Sequence, residues 1–378
     1  MKRVGINAVV LTPRSGGLLT YLSNLIDHIL ALSSDIKFSL FFSREFLNDD
    51  SRYAELPQSI GLPLSGSQPK TRILKELIIW PRTLRQQPID LFHSPISYIP
   101  LGVSGPAIVT IHDLGFFHYP AHYTRLRCKY LQKMIARAAR KALKIIAISE
   151  YTKNDIIETL GIPAEKIECI YHGFDATPFR ATHIEEQIAR IRAKYQLPEQ
   201  FILAVGHLEP RKNYLRLLQA FHQLREQQKI PHHLIIVGQE NWLYKPFYEL
   251  MHQLKLNNAV HFTGFVDQAD LPAIYQLADV FILPTLFEGF GIPVLESMAA
   301  GTPVVCSNVA SLPEIGQQAA LYFNPYEVAD MSEKIWQLIN NEQVQQQFIQ
   351  AGFENIKRFQ WHECAQKTVN LYQAVLTN

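Results

Sequence analysis

Short apolar runs separated by longer amphipathic stretches recur along this chain, in two series with a polar interruption between them. A run of four to eight apolar residues bounded by turn residues marks a strand buried on both faces, and such strands need helices above and below. The alternation therefore predicts α/β units around parallel sheets. In the first series, strands are expected at Arg3–Leu11, Lys37–Phe42, Leu91–His93, Ala107–Ile111 and Lys144–Ile148. Helices are expected over Leu18–Leu32 and Thr124–Ala142, and Ser149 is placed to N-cap a third. The second series reads as strands at Phe201–Gly206, His233–Val237, Ala259–Phe262, Val280–Leu283, Pro303–Cys306 and Leu321–Phe323. Residues 176–198 are polar, carry Pro178 and Pro198 and hold no apolar run long enough for a core strand. The expectation for 378 residues is two Rossmann-like doubly wound domains, 1–175 and 199–361, facing a central cleft and joined by a linker at 176–198. That cleft is the default ligand site. A helix over 362–378 is expected to return to the first domain.

Composition excludes several classes. With 47% hydrophobic and 19% charged residues the chain is not disordered. Lys and Arg total 36 against 34 Asp and Glu, which gives no support to a nucleic-acid partner. Cys128, Cys169, Cys306 and Cys364 are scattered without a C-x-x-C pair, so neither a zinc site nor a disulfide framework is read, and buried thiols in a reducing cytosol are expected. The opening apolar run breaks into T-P-R-S-G-G rather than a cleavage site, and no stretch approaches about 18 apolar residues. The expected location is cytoplasmic, with at most peripheral membrane association.

The most informative stretch runs from Val280 to Cys306. A buried strand ends at Pro284, and the turn Glu288-Gly289-Phe290-Gly291 leads into a helix with Pro293 in its first turn. Free N–H groups and the dipole at that helix start suit an anionic or polyhydroxyl ligand. Glu288 and Glu296 are spaced to hold two hydroxyl-bearing parts of one ligand, since a carboxylate accepting from hydroxyls is a strong contact. Either glutamate alone also fits a dipole-complementing or solvated position. A second segment, Gly206-His207-Leu208-Glu209-Pro210-Arg211-Lys212-Asn213, follows a strand and precedes a helix. Arg211 and Lys212 there can meet a phosphate and supply the fixed positive charge that a metal otherwise provides. His112 ends the strand I-V-T-I and points to the expected cleft, although a lone histidine is more often structural than catalytic. Gly16 and Gly17 lie in the loop after the first strand and permit close approach of a ligand. That loop is not a G-x-G-x-x-G fingerprint, and no D-x-D triplet for a metal–diphosphate occurs.

Together these residues carry a resemblance. The run E-G-F-G-I-P-V-L-E is similar to the E-x7-E motif of family 4 glycosyltransferases, which are retaining, nucleotide-sugar-dependent enzymes of GT-B fold. T-I-H-D-L, I-A-I-S-E-Y-T-K, H-G-F-D, G-H-L-E-P-R-K-N, F-T-G-F-V and A-S-L-P-E extend the similarity over nearly the whole chain. The resemblance implies that Glu288 binds a hydroxyl of the donor sugar and Glu296 the ribose hydroxyls. Backbone amides of Phe290, Gly291 and Ile292 would lie along the sugar and diphosphate. Arg211 and Lys212 would stabilise the leaving diphosphate, next to Gly206. The stretch Gly264-Phe265-Val266 would line the nucleobase, His112 would lie by the reacting sugar, and Gly16 and Gly17 beside the phosphate or acceptor. One departure stands out: His207 occupies a position where many members have Arg.

No cofactor is expected, and transfer is expected to be metal-independent. The E-P-R-K-N and I-H-D-L segments resemble bacterial mannosyltransferases acting on polysaccharide or lipopolysaccharide precursors. GDP-mannose is therefore the first expectation for the donor, a UDP-hexose or UDP-N-acetylhexosamine the next, with a glycan or lipid-linked glycan as acceptor. A nucleotide-sugar epimerase of the same fold and a non-catalytic nucleotide-sugar-binding subunit are the alternatives.

The near-neutral total conceals a dipole. Residues 1–175 hold 21 Lys and Arg against 15 acids, and the remainder 15 against 19. Arg125, Arg127, Lys129, Lys133, Arg137, Arg140, Lys141 and Lys144 occur with no acid among them, and Arg72, Lys75, Arg82 and Arg85 flank an apolar L-I-I-W segment. This basic excess reads either as a solvated face or as one that approaches an anionic membrane surface or lipid-diphosphate acceptor.

Overall fold

The computed structural model describes residues 1–12, 16–32, 35–240 and 244–377. The chain divides into two compact units, Met1–Gly173 with Phe359–Asn378, and Phe174–Arg358.

The first unit is built on seven parallel strands: β1 (Lys2–Asn7), β2 (Ile36–Ser43), β3 (Ser59–Leu62), β4 (Leu91–Ser94), β5 (Ala107–Ile111), β6 (Lys144–Ala147) and β7 (Ile167–Cys169). Their order is β3-β2-β1-β4-β5-β6-β7. Strand periodicity sends alternate side chains to opposite faces. Val4, Ile6, Leu40 and Ile108 therefore face one core with the helix Gly17–Leu32, and Phe41, Phe92, Val109 and Ile111 face another. The helix Trp361–Thr377 closes the first of these cores through Trp361, Cys364, Ala365, Val369 and Tyr372. Gly173 makes that closure possible, because a Cβ there would lie 2.4 Å from the Trp361 Cα.

β1 stops at Asn7, four residues short of the sequence expectation. The Asn7 Oδ1 accepts from Val9 N at 3.3 Å, and Leu11 N donates to Ala8 O, so the backbone turns instead of extending. Ser149 caps the helix Glu150–Leu160 by accepting from Thr152 N at 3.0 Å. Cys128, Cys306 and Cys364 are buried, whereas Cys169 is only half-buried.

The second unit carries six parallel strands: β8 (Phe201–Val205), β9 (His233–Val237), β10 (Val260–Gly264), β11 (Val280–Leu283), β12 (Val304–Ser307) and β13 (Ala320–Phe323). Their order is β10-β9-β8-β11-β12-β13, and the core gathers Ile202, Ala204, Ile236, Ile282 and Val305. The segment 176–198 lies within this unit and holds the helix Glu185–Tyr195. Its basic and aromatic side chains converge on buried Asp270: Lys194 Nζ at 2.7 Å, Tyr195 OH at 2.9 Å and Arg190 Nη2 at 2.8 Å.

In both sheets the strand order reverses beside the first strand, between β1 and β4 and between β8 and β11. Ligands of open α/β sheets bind outside the carboxyl ends of strands at such reversals.

Candidate active site

In the second unit the chain leaves β8 through Gly206 and makes one 3-10 turn, Pro210–Lys212, before the helix Tyr214–Gln227. Asn213 joins the two in the left-handed region at φ 60°, and its Nδ2 donates to Pro325 O at 2.8 Å. The turn carries Arg211 and Lys212. β11 ends across the reversal and runs through Thr285 to Glu288. Leu286 N donates to Arg211 O at 2.8 Å and Thr285 Oγ1 to the same oxygen at 3.1 Å, so the two strand-end loops are bonded to each other.

Three charged side chains meet there. Lys212 Nζ lies 2.6 Å from Glu288 Oε1, and Arg211 Nη1 lies 3.2 Å from the same oxygen. Arg211 Nη1 also donates to Phe287 O at 2.6 Å, and its Nη2 to Glu209 Oε1 at 2.8 Å. Burial alone would raise the Glu288 pKa, but Lys212 and then Arg211 outweigh it and hold the carboxyl at about 2. The group is ionised at every working pH. Gly206 leaves room for this cluster: a Cβ would come 3.0 Å from Lys212 Cε and 3.1 Å from the Tyr214 hydroxyl.

The turn after Glu288 is fixed from beneath. Ser311 Oγ lies 2.9 Å from Glu288 O and 3.0 Å from Phe290 O, and Phe290 is buried. Gly291 precedes the helix Ile292–Ala300 at φ 103°, where any side chain is strained and a Cβ would also meet Leu312 at 2.7 Å. Glu296 lies one turn into that helix, and its Oε2 accepts from Tyr275 OH at 2.7 Å. Burial pushes its pKa up to about 7 against the lowering effect of that bond. The two glutamates of the motif thus differ sharply: one is locked in its charged form and the other titrates near neutrality.

Val266, the expected base-lining residue, is buried, and the neighbouring Phe265 is 66% exposed. His207 is exposed, and its Nδ1 accepts from Gln239 N at 3.3 Å. The imidazole proton therefore resides on Nε2, and partial desolvation by neighbouring groups, with the charges of Lys212 and Arg211, lowers the ring's pKa. A neutral ring does not replace an arginine's fixed charge, which leaves Arg211 and Lys212 as the phosphate candidates here.

In the first unit His112 follows β5. Its N–H donates to Ser97 Oγ at 3.2 Å and its Nε2 to Pro95 O at 2.9 Å. A carbonyl only accepts, so Nε2 carries the proton; burial keeps the ring neutral and Nδ1 is an acceptor. The ring meets Tyr21 edge-on at 5.1 Å and His172 at 5.6 Å, and Tyr21 stacks on His172 at 4.3 Å. Tyr21 belongs to the helix that Gly17 opens, one turn from Gly17. Gly16 has φ 53°, and its carbonyl accepts from Leu19 and Thr20 N. Pro13, Arg14 and Ser15, the rest of that loop, lie outside the described residues. Beneath His112, buried His93 bridges Thr110 Oγ1 at 2.9 Å and Tyr372 OH at 2.6 Å, tying β4 and β5 to the last helix.

The structure thus brings Gly206, Arg211, Lys212 and Glu288 together, with Phe290, Gly291, Ile292 and Glu296 on the following turn and helix. His112, Gly16 and Gly17 belong to the first unit. Sequence reading gave no role to Glu209, Thr285 and Ser311, which bond to the cluster and its loops, or to Tyr275, which bonds Glu296.

Comparison with known proteins places this arrangement. The family model described as Glycosyltransferase Family 4 matches residues 3–177, and that described as Glycosyl transferases group 1 matches residues 187–355. The O-antigen chain mannosyltransferase B of Escherichia coli is 31% identical over 296 residues, covering 77% of this chain and 76% of that one. The chain belongs to glycosyltransferase family 4. This family 4 glycosyltransferase is also 30% identical over 244 residues to the serotype-specific mannosyltransferase WbdA of Escherichia coli, of which it spans 29%. Sucrose-phosphate synthase from Thermosynechococcus elongatus superposes with a TM-score of 0.78 at 20% identity, over the whole of both chains, and shows the shared fold. The architecture is that of a GT-B glycosyltransferase, α/β with two Rossmann-like parallel sheets.

Proposed function

We propose that this glycosyltransferase is a retaining mannosyltransferase that moves mannose from GDP-mannose onto a glycan or lipid-linked glycan acceptor in surface polysaccharide or lipopolysaccharide synthesis. The observation that carries the transfer reading is the Arg211–Lys212–Glu288 cluster at the carboxyl ends of β8 and β11. Mannose is chosen because both sequence relatives named above are mannosyltransferases.

The chemistry follows from charge. Breaking the anomeric C–O bond leaves negative charge on the diphosphate and positive character on the sugar. Arg211, Lys212 and the N–H groups opening the helix Ile292–Ala300 are held in place to receive the first, with no metal required. Glu288 accepts from a hydroxyl of the sugar and Glu296 from the ribose. His112 Nδ1 accepts from a further sugar hydroxyl, because Pro95 holds the other nitrogen. The acceptor oxygen forms its bond to the anomeric carbon on the face the diphosphate leaves. Its proton passes to the departing phosphate oxygen, and because attack and departure share one face the configuration is retained.

Calorimetric titration with GDP-mannose, UDP-glucose and UDP-N-acetylglucosamine tests the donor. GDP-mannose is expected to bind at least tenfold more tightly than either UDP-sugar, and preference for a UDP-sugar overturns the assignment. Transfer measured in EDTA tests the metal-free reading, which a collapse of rate restored by magnesium would defeat.

A further inference from the structure

We propose that the outer face of the helix Pro69–Gln86 docks onto an anionic lipid surface. The helix buries Arg72, Glu76, Trp80 and Thr83, a row at helical spacing. On the opposite side Leu74 is 71% exposed, Leu77 49% and Ile78 55%. Lys75, Arg82 and Arg85 are exposed beside them. Glu76 is the one acid of this helix, and it is turned inward with its Oε1 3.4 Å from Arg72 Nε. The outer face is thus aliphatic along its middle and uniformly positive around it. Arg72, which the sequence groups with the flanking cations, belongs to the inner side.

The face is presented rigidly. Gly102 of the adjoining loop lies so close that a Cβ would meet Glu76 O at 2.4 Å and Pro81 Cδ at 2.8 Å. The helix Arg125–Lys141 grips the same loop, with Arg137 Nη1 donating to Ile99 O at 3.2 Å and Lys141 Nζ to Val103 O. Arg125, Arg127, Lys129, Lys133 and Arg140 of that helix remain exposed.

Large aliphatics exposed singly need no explanation, but three within two turns mark an interaction surface. Their chemistry selects a membrane. An amphipathic helix lies in the lipid interface when aliphatic side chains can enter the acyl boundary and Lys and Arg remain at the anionic headgroups. A second copy meeting this face through a two-fold axis would set Lys75, Arg82 and Arg85 against their own like charges. Docking needs neither donor nor acceptor, so its test is independent of the assigned reaction.

The full chain is sedimented with vesicles of phosphatidylcholine alone or with about one-third phosphatidylglycerol, at low salt and at about 0.5 M salt. Partitioning is expected to be at least tenfold stronger on the anionic vesicles and to weaken with salt. The exposed triple substitution Leu74→Ser, Leu77→Ser, Ile78→Ser is expected to lower it at least tenfold without moving the thermal melt. Lys75→Gln with Arg82→Gln and Arg85→Gln is expected to remove the preference for phosphatidylglycerol. Equal partitioning to both vesicle types, or no effect of the aliphatic substitutions, overturns the proposal. So does light scattering that shows a dimer which the aliphatic substitutions dissociate.

Discussion

Lys212 Nζ and Glu288 Oε1 are 2.6 Å apart, within a cluster where Arg211 reaches the same carboxylate oxygen. On the proposed reading, a diphosphate would compete with this carboxylate for one pair of cations, and sugar recognition by Glu288 would be linked to phosphate recognition by Lys212. Cations that turn to phosphate would release the carboxylate to accept from a hydroxyl.

Glu288→Gln separates the two roles. Free GDP is expected to bind about tenfold more tightly because its competitor is gone, a gain of about 1.4 kcal/mol. Transfer is expected to fall by roughly two orders of magnitude, as for loss of one charge-positioning group. Calorimetry and a turnover assay read both, and near-normal turnover would remove Glu288 from the site.

The same carboxylate shapes acid stability. Its pKa is depressed to about 2 in the fold, below the ordinary value of 4.5. The stabilisation is present above pH 4.5 and is lost as the pH falls toward 2, amounting to about 3 kcal/mol for a shift of this size. Urea titrations between pH 5 and 3 are expected to show a shallower loss in Glu288→Gln than in the parent, and parallel curves would contradict it.

Glu296 gives the opposite signature. Its pKa is raised by burial to about 7, so ionising it costs stability as the pH rises from its ordinary value through 7. Glu296→Gln is expected to melt higher than the parent at pH 8 and equally at pH 4. Donor affinity in the parent is expected to strengthen as the pH rises through about 7, because on the proposed reading the ionised carboxylate is the stronger acceptor for the ribose hydroxyls. A pH-independent dissociation constant would separate Glu296 from the nucleotide.

His112→Ala is expected to lower kcat by about two orders of magnitude, as for loss of one positioned polar group. Affinity for free GDP is expected to stay unchanged, because in the proposed role His112 addresses the sugar alone. A loss of GDP affinity equal to the loss of kcat would contradict that role.

Gly173→Ala tests the closure of the first unit. The new methyl would meet the Trp361 Cα and ring at 2.4 Å, and backbone cannot rotate away. Overpacking of this kind costs about 1–3 kcal/mol, read as a lowered melting temperature. An unchanged melt would mean that the last helix is not held against this residue.

Much of this was legible before any coordinates. Fully buried strands such as β5 and β11 announce themselves as unbroken apolar runs, and the E-x7-E turn names its own glutamates. β3 and β7 were not visible because short edge strands bury little: Ser59, Ile60 and Gly61 are half-buried, and Glu168 is exposed. The partners that set the glutamates' charge were hidden for a different reason. Tyr275 lies 21 residues from Glu296 and Lys212 lies 76 from Glu288, and only the strand order makes them neighbours. Arg72 reads with Lys75, Arg82 and Arg85 as one of the flanking cations, although the helix turns it inward beside Glu76.

The first unit draws its core from both ends of the chain: the helix Trp361–Thr377 packs on the helix Gly17–Leu32 and reaches His93 through Tyr372. During synthesis, residues Phe174–Arg358 emerge before that last helix, so the second unit can finish folding first. The first unit, although translated earlier, waits with Tyr21, Leu22 and Leu25 uncovered. A chain cut short before Phe359 would keep an intact cation–carboxylate cluster and leave the first sheet open on the side that Trp361, Ala365 and Tyr372 otherwise cover.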